Sequence, residues 1–510
     1  MLEPSSQYKR GLKQAVDWKL VISYLVLIFI GWINIYASIH SSEPSSIFDW
    51  SVRSGKQFIW ILTSLGIAAL ILFVLNPRLW EVISIPSYVI VGALLVLVIF
   101  VSKDVKGSHS WFEFGPVKFQ PAEISKITTS LVLAATMSKP GFKISKAKDF
   151  LTVALIIGLP MLTIVAESET GSALVYVGFL FVLYREGLTG WLLAIAGLCI
   201  LLFILTLTAS SYTSILVLAG IVTFAYFMYT GRFGTWLKRC GVPLLFFAFL
   251  PRLWAWLCEW LVPGASVLGS VDPSVSDAIT RAAGPWTALL KFKPLYLLLA
   301  VCGCALPVCM ARAYRDKHIY LWAAIGAFIL GVLLTFSTEF IFNDVLQDHQ
   351  RARIEVLLGM KEDLAGVGYN VNQSKIAIGS GGLFGKGFLQ GTQTTYGFVP
   401  EQSTDFIFCT VGEEWGFVGC SIVILLYVFM ISRIIIDAEK SRESFTRIYG
   451  YCVASCIFMH LFINVGMTIG LMPVIGIPLP LLSYGGSSLW AFTILIFIFI
   501  ALDREEKKYF

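Results

Sequence analysis

The sequence predicts an all-α, polytopic integral membrane protein with about fourteen transmembrane helices and one large extracytoplasmic loop. Of its 510 residues, 57% are hydrophobic and only 14% are charged, and the mean hydropathy is +0.78. A soluble protein of this length needs a charged surface, which this composition cannot supply. The formal net charge of +6 is small for the size, so nucleic acid is not an expected partner.

The predicted spans are apolar segments that can cross about 30 Å of hydrocarbon once tilt is allowed. The basic N-terminal stretch leads directly into the first span, so we expect no cleaved signal peptide. In chain order the segments are 20–40, 57–75, 83–101, 121–138, 150–166, 171–185, 188–209, 213–230, 242–262, 292–312, 318–342, 404–432, 448–470 and 487–503.

Basic residues fall in every second loop, which the positive-inside rule assigns to the cytoplasm. This alternation predicts an even number of spans with both termini cytoplasmic. The basic positions include Arg78, Lys139, Lys143, Lys146, Lys148, Arg185, Arg232, Lys238, Arg239, Arg312, Arg315, Lys317, Arg433, Lys440, Arg442, Arg447, Arg504, Lys507 and Lys508.

Among the predicted extracytoplasmic loops, two are unusual. Segment 343–403 is Gly-rich, polar and about 60 residues long, and loops of that length are usually functional. Segment 263–291 carries Asp272, Asp277 and Arg281 beside apolar residues, which is typical of a helix at the interface. The ten cysteines lie mainly in apolar stretches without metal-type spacing, so we interpret them as packing residues.

Ionisable residues at the mouths of spans are costly and are therefore candidates for function. Glu123 and Lys126 are three residues apart and share one helical face, as either a functional or a structural pair. Glu167 and Glu169 precede Gly171 between two short apolar segments, which predicts a broken helix lining a cavity. The alternative is an ordinary exposed loop carboxylate at Glu167.

Polar and Pro-rich sequence also marks the last third of the chain. Asn464 lies in an apolar span, and Pro473, Pro478 and Pro480 precede the stretch 483–488, Ser-Tyr-Gly-Gly-Ser-Ser. We predict an irregular, partly re-entrant structure there, with a simple turn as the alternative.

In the 343–403 loop, glycines alternate with basic and acidic side chains. Glycine lets backbone approach a bulky polar ligand, and Arg and Lys suit phosphate or pyrophosphate. A nearby carboxylate can serve as the base for an alcohol nucleophile. The other interpretation, a flexible polar linker, fits the ordered Gly spacing less well.

Three stretches together resemble the SEDS family (shape, elongation, division and sporulation) of membrane peptidoglycan polymerases. They are 107–126, which contains Trp111 and then Gln120-Pro121-Ala122-Glu123-Ile124-Ser125-Lys126, the 363–408 stretch, and 478–488. The Gly-Lys-Gly and Gly-Thr-Gln elements are more similar to the elongation member than to the division member.

The resemblance spans the chain except roughly 190–315, and it implies roles for single residues. It makes Asp363 the catalytic carboxylate, while Arg353 and Lys375 are candidates for binding pyrophosphate by charge and neighbourhood. It places further substrate-binding residues around the same cavity: Trp111, Gln120, Glu123, Lys126 and Glu169. We therefore expect one polytopic domain over 1–510, a ten-helix family core, extra helices inserted near 190–315, and a catalytic loop at 343–403.

The chain departs from the family pattern at three places. Ser110 stands where a basic residue usually precedes the tryptophan, so an anion contact must come from elsewhere, for example His109. The usual Gln-Pro-Asp-Leu-Gly-Thr is Glu-Ser-Glu-Thr-Gly-Ser at 167–172, which puts the charge of Glu169 on a longer arm. Leu364 replaces the proline expected after Asp363.

The implied activity is polymerisation of lipid II at the outer face of the inner membrane, with release of undecaprenyl pyrophosphate, for cell elongation and shape. The charge on the leaving group needs Arg, Lys or a divalent cation such as Mg or Mn, and no organic cofactor is expected. Expected partners are a class B penicillin-binding protein, the cell-elongation machinery and membrane lipid. The alternatives are a flippase for the same precursor and a non-catalytic scaffold.

Overall fold

The structure is a computed structural model that describes residues 16–39, 46–102, 110–114, 117–231, 233–261, 292–346, 351, 354–355, 358, 360 and 368–507. Within these ranges the chain is almost entirely helical, and the predicted all-α, polytopic fold is confirmed. The helices form two compact units, one of Met1–Gly190 with Lys361–Phe510 and one of Trp191–Met360.

Sixteen helices are present in the described residues. In chain order they are α1 (Trp18–Ile39), α2 (Arg53–Val74), α3 (Arg78–Val101), α4 (Pro121–Met137), α5 (Ala147–Ala166), α6 (Thr170–Arg185), α7 (Gly190–Thr208), α8 (Ser211–Tyr229), α9 (Phe233–Leu261), α10 (Pro294–Arg315), α11 (Ile319–Val345), α12 (Tyr369–Ser380), α13 (Thr392–Thr395), α14 (Ile407–Lys440), α15 (Ser444–Thr468) and α16 (Gly486–Lys507).

Every predicted span has a helical counterpart, but not every one is long enough to be a clear span. Eleven of the described helices are long and apolar enough to cross a membrane. Two more apolar helices are shorter, α6 and part of α7, and α4 has 17 residues. The chain is therefore a multi-span membrane protein, and the number of fourteen spans stays a prediction.

Two features were not predicted. A hairpin of two short antiparallel strands, β1 (Phe112–Phe114) and β2 (Val117–Phe119), leads into α4. The long polar loop also contains α12 and α13, and the apolar residues of α12 show little of the helical periodicity that would have predicted it. The predicted interface helix at 263–291 lies outside the described residues.

The core of the first unit is built around α15 and α16, which are mostly buried, while α3 and α5 expose many large apolar side chains. This division is consistent with lipid as the solvent, because apolar side chains that face hydrocarbon carry no hydration penalty. Close packing at the core needs a small residue on α1, since a Cβ at Gly31 would lie 2.6 Å from the Cα of Leu482.

The second unit contains α8 to α11 and nearly all of α7. Its main contact pairs α8 with α11, where a Cβ at Gly331 would meet the side chain of Leu218. Thr206 and Ser214 are buried and hydrogen-bonded to each other at 3.0 Å, which satisfies their hydroxyls in apolar surroundings.

Candidate active site

The predicted site residues divide into those that the structure describes and those that it does not. Asp363 and Arg353 lie outside the described residues. The others are described: Trp111, Gln120, Glu123, Lys126, Glu169 and Lys375. Four of these six lie near one irregular stretch, residues 470–485, which we call the Pro-Gly segment. Lys375 and the helix that follows Glu169 contact it, and the pair of Glu123 and Lys126 is joined to it through His460.

The N-terminus of α4 carries the first of these groups. Gln120 precedes the helix, and Pro121 occupies its first position, where a missing N–H costs nothing. Lys126 Nζ donates to Glu123 Oε1 at 2.9 Å, and each residue is only 2% exposed. The predicted pair on one helical face is therefore an ion pair, and Glu123 Oε2 has no hydrogen-bond partner among the described residues.

His460, on α15, completes this buried pair. Its Nε2 lies 2.8 Å from Lys126 Nζ, and its Nδ1 lies 3.1 Å from the carbonyl oxygen of Pro478. Phe492 packs edge-on against the imidazole, and its ring centroid lies 5.3 Å from Lys126 Nζ, in the cation–π range. Sequence reasoning missed His460, although an ionisable side chain within a predicted span was a sufficient signal.

Asn464, one helical turn after His460, holds the adjacent part of the Pro-Gly segment. Its Nδ2 donates to the carbonyl oxygens of Ile477 at 2.7 Å and Asp405 at 2.8 Å. One further turn along, the carbonyl of Thr468 accepts a hydrogen bond from Ser374 Oγ at 2.6 Å. One face of α15 therefore fixes backbone that has no regular secondary structure of its own.

The break between α5 and α6 was predicted and is present. Ser168 has a φ of +63°, and Glu169 precedes the first turn of α6. Glu169 Oε1 accepts a hydrogen bond from the buried Ser110 Oγ at 2.8 Å, so the serine that replaces a basic residue contacts the glutamate that replaces an aspartate. A Cβ at Gly171 would lie 2.9 Å from the side chain of Ile475, which places this break against the Pro-Gly segment.

Glu167, in the same break, is fully buried rather than an exposed loop residue. Neither of its carboxyl oxygens has a hydrogen-bond partner among the described residues. Burial, with the charge of Glu169 as the second cause, raises the pKa of Glu167 to about 8. The carboxyl group is therefore mainly protonated at neutral pH.

Lys375 lies on the exposed face of α12. Its side chain crosses Gly470, where a Cβ would approach the Nζ atom to 2.5 Å. It makes no ion pair with any other described residue, so its charge is available for an anion.

Lys386, a second described lysine of the 343–403 loop, has a structural role. Lys386 Nζ donates at 2.7 Å to the fully buried Glu413 of α14, whose carboxylate also accepts from the backbone N–H groups of Gln393 and Thr394. Gly385 approaches the backbone of Glu414 so closely that a Cβ would collide with it. At Gly385, therefore, the missing side chain allows the backbone to approach α14, and whether the other glycines approach a ligand stays a prediction.

A metal-binding cluster is not evident in the described part of the chain, where no three His, Cys, Asp or Glu side chains lie together. The possible divalent cation stays a prediction.

The fold and the buried charges define a multi-span membrane protein with a polar site at the ends of its helices. The family model for FtsW, RodA and SpoVE, described as cell cycle proteins, matches residues 17–236 and 314–508. The chain belongs to this family, which confirms the resemblance drawn from its motifs. The unmatched residues, 237–313, fall within the predicted insertion, whose limits stay a prediction.

Curated relatives are named as enzymes. The chain is 27% identical over 452 residues to the peptidoglycan glycosyltransferase MrdB of Escherichia coli K12, which covers 87% of this chain and 85% of the relative. It is also 27% identical over 500 residues to the peptidoglycan glycosyltransferase RodA of Treponema pallidum, and this alignment covers 96% of this chain and 98% of the relative.

Solved structures agree in fold. A chain from a peptidoglycan synthase complex, described as coordinating polymerization and crosslinking, matches with a TM-score of 0.56 and 20% identity over 96% of this chain and 98% of that one. Thermus thermophilus RodA matches with a TM-score of 0.51 and 20% identity over 96% and 97%.

Proposed function

We propose that this protein is a peptidoglycan glycosyltransferase that polymerises lipid II into glycan strands and releases undecaprenyl pyrophosphate. Family membership and the names of the relatives support the reaction class. The observation that carries the proposal is the convergence of Glu123, Lys126, Glu169 and Lys375 on the surroundings of the Pro-Gly segment, directly or through His460. These residues come from three distant parts of the sequence, and a membrane anchor needs none of them.

In the proposed reaction, Asp363 takes the proton of the acceptor's sugar 4-hydroxyl. The oxygen attacks the anomeric carbon of the lipid-linked sugar on the growing chain and inverts it. The bond from that carbon to the pyrophosphate breaks, and the electron pair leaves with undecaprenyl pyrophosphate. Because pyrophosphate is a good leaving group, the mechanism needs no general acid.

Positive charge must compensate the developing charge on pyrophosphate. Lys375 supports this step because it is exposed and has no ion-pair partner in the described residues. Arg353 is the second candidate. A divalent cation, Mg or Mn, is the alternative, and loss of polymer on adding EDTA would indicate that it participates.

The buried pair on α4 has a positioning role in this proposal. Glu123 and Lys126, with Trp111, Gln120 and Glu169, would form the wall of the substrate cavity. The unpaired Glu123 Oε2 is an acceptor that a substrate hydroxyl or amide could satisfy.

The proposal also includes location and partners. The distribution of basic residues supports cytoplasmic termini and a 343–403 loop outside the inner membrane. A class B penicillin-binding protein is the expected partner, together with the cell-elongation machinery, because glycan strands must be crosslinked. A relative of the same fold is described within a peptidoglycan synthase complex, which supports this choice.

The test is glycan-strand formation from labelled lipid II by the purified protein, with and without its partner. Wild type should make polymer, and Asp363→Asn should make none while eluting as a folded protein. Asp344→Asn, an exposed carboxylate at the end of α11, is the control and should retain activity. Equal polymer from Asp363→Asn and wild type would disprove the role of Asp363. No polymer from wild type with its partner would contradict the activity.

A further inference from the structure

His460 lies at the centre of the buried cluster, is not exposed, and contacts Lys126 among the residues of the proposed site. It is 0% exposed and sits on α15, 334 residues from Lys126 in sequence. Its two ring nitrogens have different partners, the Lys126 ammonium and the Pro478 carbonyl. It is therefore the side chain that joins α4 to the Pro-Gly segment.

The partners determine the protonation state of the imidazole. The Pro478 carbonyl can only accept a hydrogen bond, so Nδ1 must carry the proton. The Lys126 ammonium can only donate, so Nε2 must be the unprotonated acceptor. A doubly protonated ring would place two cations 2.8 Å apart in a buried site, and it would lose this hydrogen bond.

This arrangement determines where the Lys126 ammonium points. One of its N–H groups is directed to Glu123 and one to His460, and the Phe492 ring lies within cation–π distance. Without the Nε2 acceptor, an N–H of a buried cation would be unsatisfied, and the ammonium would move to recover a partner.

His460 also restrains the Pro-Gly segment. Together with Asn464, it binds two successive carbonyls, Ile477 and Pro478. A displaced segment would shift Ile475 and Ile477, which pack on Gly171 beside Glu169. The effect of losing His460 would thus reach both walls of the site.

We propose that His460 is a positioning residue of the polymerase site, holding Lys126 through Nε2 and the Pro-Gly segment through Nδ1–H. This role rests on the proposed function. It acts mainly on the rate of the chemical step and changes substrate affinity little, because His460 touches no substrate and its loss disturbs the orientation of Lys126 and of the Pro-Gly segment.

The chain offers a well-matched set of variants. A glutamine amide carries one donor and one acceptor on a single carbon, as the imidazole does, so His460→Gln can keep both hydrogen bonds. His460→Phe and His460→Met fill the space without them. Met459→Leu changes a buried neighbour of similar volume and is the control.

The experiment measures kcat and KM for lipid II polymerisation by each purified variant that elutes as one folded species. His460→Gln and Met459→Leu should stay within about threefold of wild type in kcat. His460→Phe and His460→Met should lose at least about tenfold in kcat, with KM changed by less than about threefold.

Three results would overturn the role of His460. They are equal and retained kcat for His460→Phe and His460→Gln, equal and lost kcat for the same two variants, and an effect on KM alone. A wild-type protein that makes no polymer would instead contradict the proposed function, and the role of His460 would fall with it. If neither apolar variant folds, a loss of kcat in folded His460→Gln still overturns the role, and its retention supports it.

Discussion

At the scale of single residues, the buried carboxyl of Glu167 is the least compensated group in the described structure. It has neither an ion-pair partner nor a hydrogen bond there, and its pKa is raised to about 8 by burial and by Glu169. Between the lower pKa of the unfolded state and the raised pKa of the folded state, the folded protein therefore holds a proton on Glu167 that the unfolded protein has released. This contribution to stability is complete at acidic pH and is lost as the pH rises through about 8.

The first prediction follows from this sign. Between pH 5 and pH 8, the melting temperature of Glu167→Gln, which cannot ionise, should fall by a few degrees less than the melting temperature of wild type. Glu81→Gln, an exposed carboxylate on α3, is the control and should follow the wild-type profile. Parallel pH profiles for Glu167→Gln and wild type would show that the carboxyl is not buried and unpaired as described.

Residue spacing predicted contacts within one helix and missed those between helices. Glu123 and Lys126 are paired because three residues make slightly less than one helical turn. The partners of His460 and Glu413 could not be predicted, because they lie far away in sequence and a helix's own pattern contains no signal for the neighbour it will meet. The roles assigned to Asp363 and Arg353 stay predictions.

At the scale of elements, close backbone approach explains the glycines of the Gly-rich stretch. The chain at 382–387 hydrogen-bonds to the backbone of α14 at its kink, where Gly416 has a φ of +65°. Gly385 and Gly382 both have positive φ, +81° and +56°, but an added Cβ would collide with α14 only at Gly385.

The second prediction compares these two glycines. Gly382→Ala should cost about 1–3 kcal/mol from its φ alone. Gly385→Ala should have the same backbone cost and, in addition, collide with the Glu414 carbonyl oxygen, so its melting temperature should fall further. Thermal unfolding in detergent measures both, and equal losses would contradict the close packing of this stretch on α14.

Helix positions were predictable because an apolar stretch of sufficient length is a local property of the sequence. Each predicted segment has its helix, within a few residues in most cases. The hairpin of β1 and β2 was missed because three-residue strands are too short for an alternating pattern. The broken helix at 167–169 was predicted because charge and glycine interrupt an apolar run.

At the scale of the whole molecule, charge distribution predicts orientation. The two terminal stretches and the loops around 139–148, 232–239, 312–317 and 433–447 are rich in Lys and Arg, so the termini and the loop containing Lys143 should be cytoplasmic. The long Gly-rich loop, which includes the exposed Tyr396, should face the opposite side. How the helices pack into two units could not be predicted, because packing depends on contacts between distant segments.

The third prediction tests this orientation in intact spheroplasts with a membrane-impermeant maleimide. Tyr396→Cys should gain label relative to wild type, and Lys143→Cys should gain label only after permeabilisation. Both side chains are exposed, so accessibility within the fold is matched. The reverse pattern would place the candidate site in the cytoplasm and contradict polymerisation at the outer face.

The central claim is that the buried charges beside the Pro-Gly segment serve polymerisation of lipid II. Two lysines allow a comparison, because Lys126 pairs with Glu123 at this site and Lys507 pairs with Asp503 at the other end of α16, about 20 Å along the helix from Phe492. In each pair, the lysine and the carboxylate lie about one helical turn apart on the same helix.

The decisive measurement is the initial rate of glycan-strand formation from lipid II by folded Lys126→Met and Lys507→Met. Lys126→Met should lower the rate by about 100-fold or more, as expected for loss of a preorganised charge, and Lys507→Met should stay within about threefold of wild type. An active Lys126→Met, or an equal loss in both variants, would contradict the account.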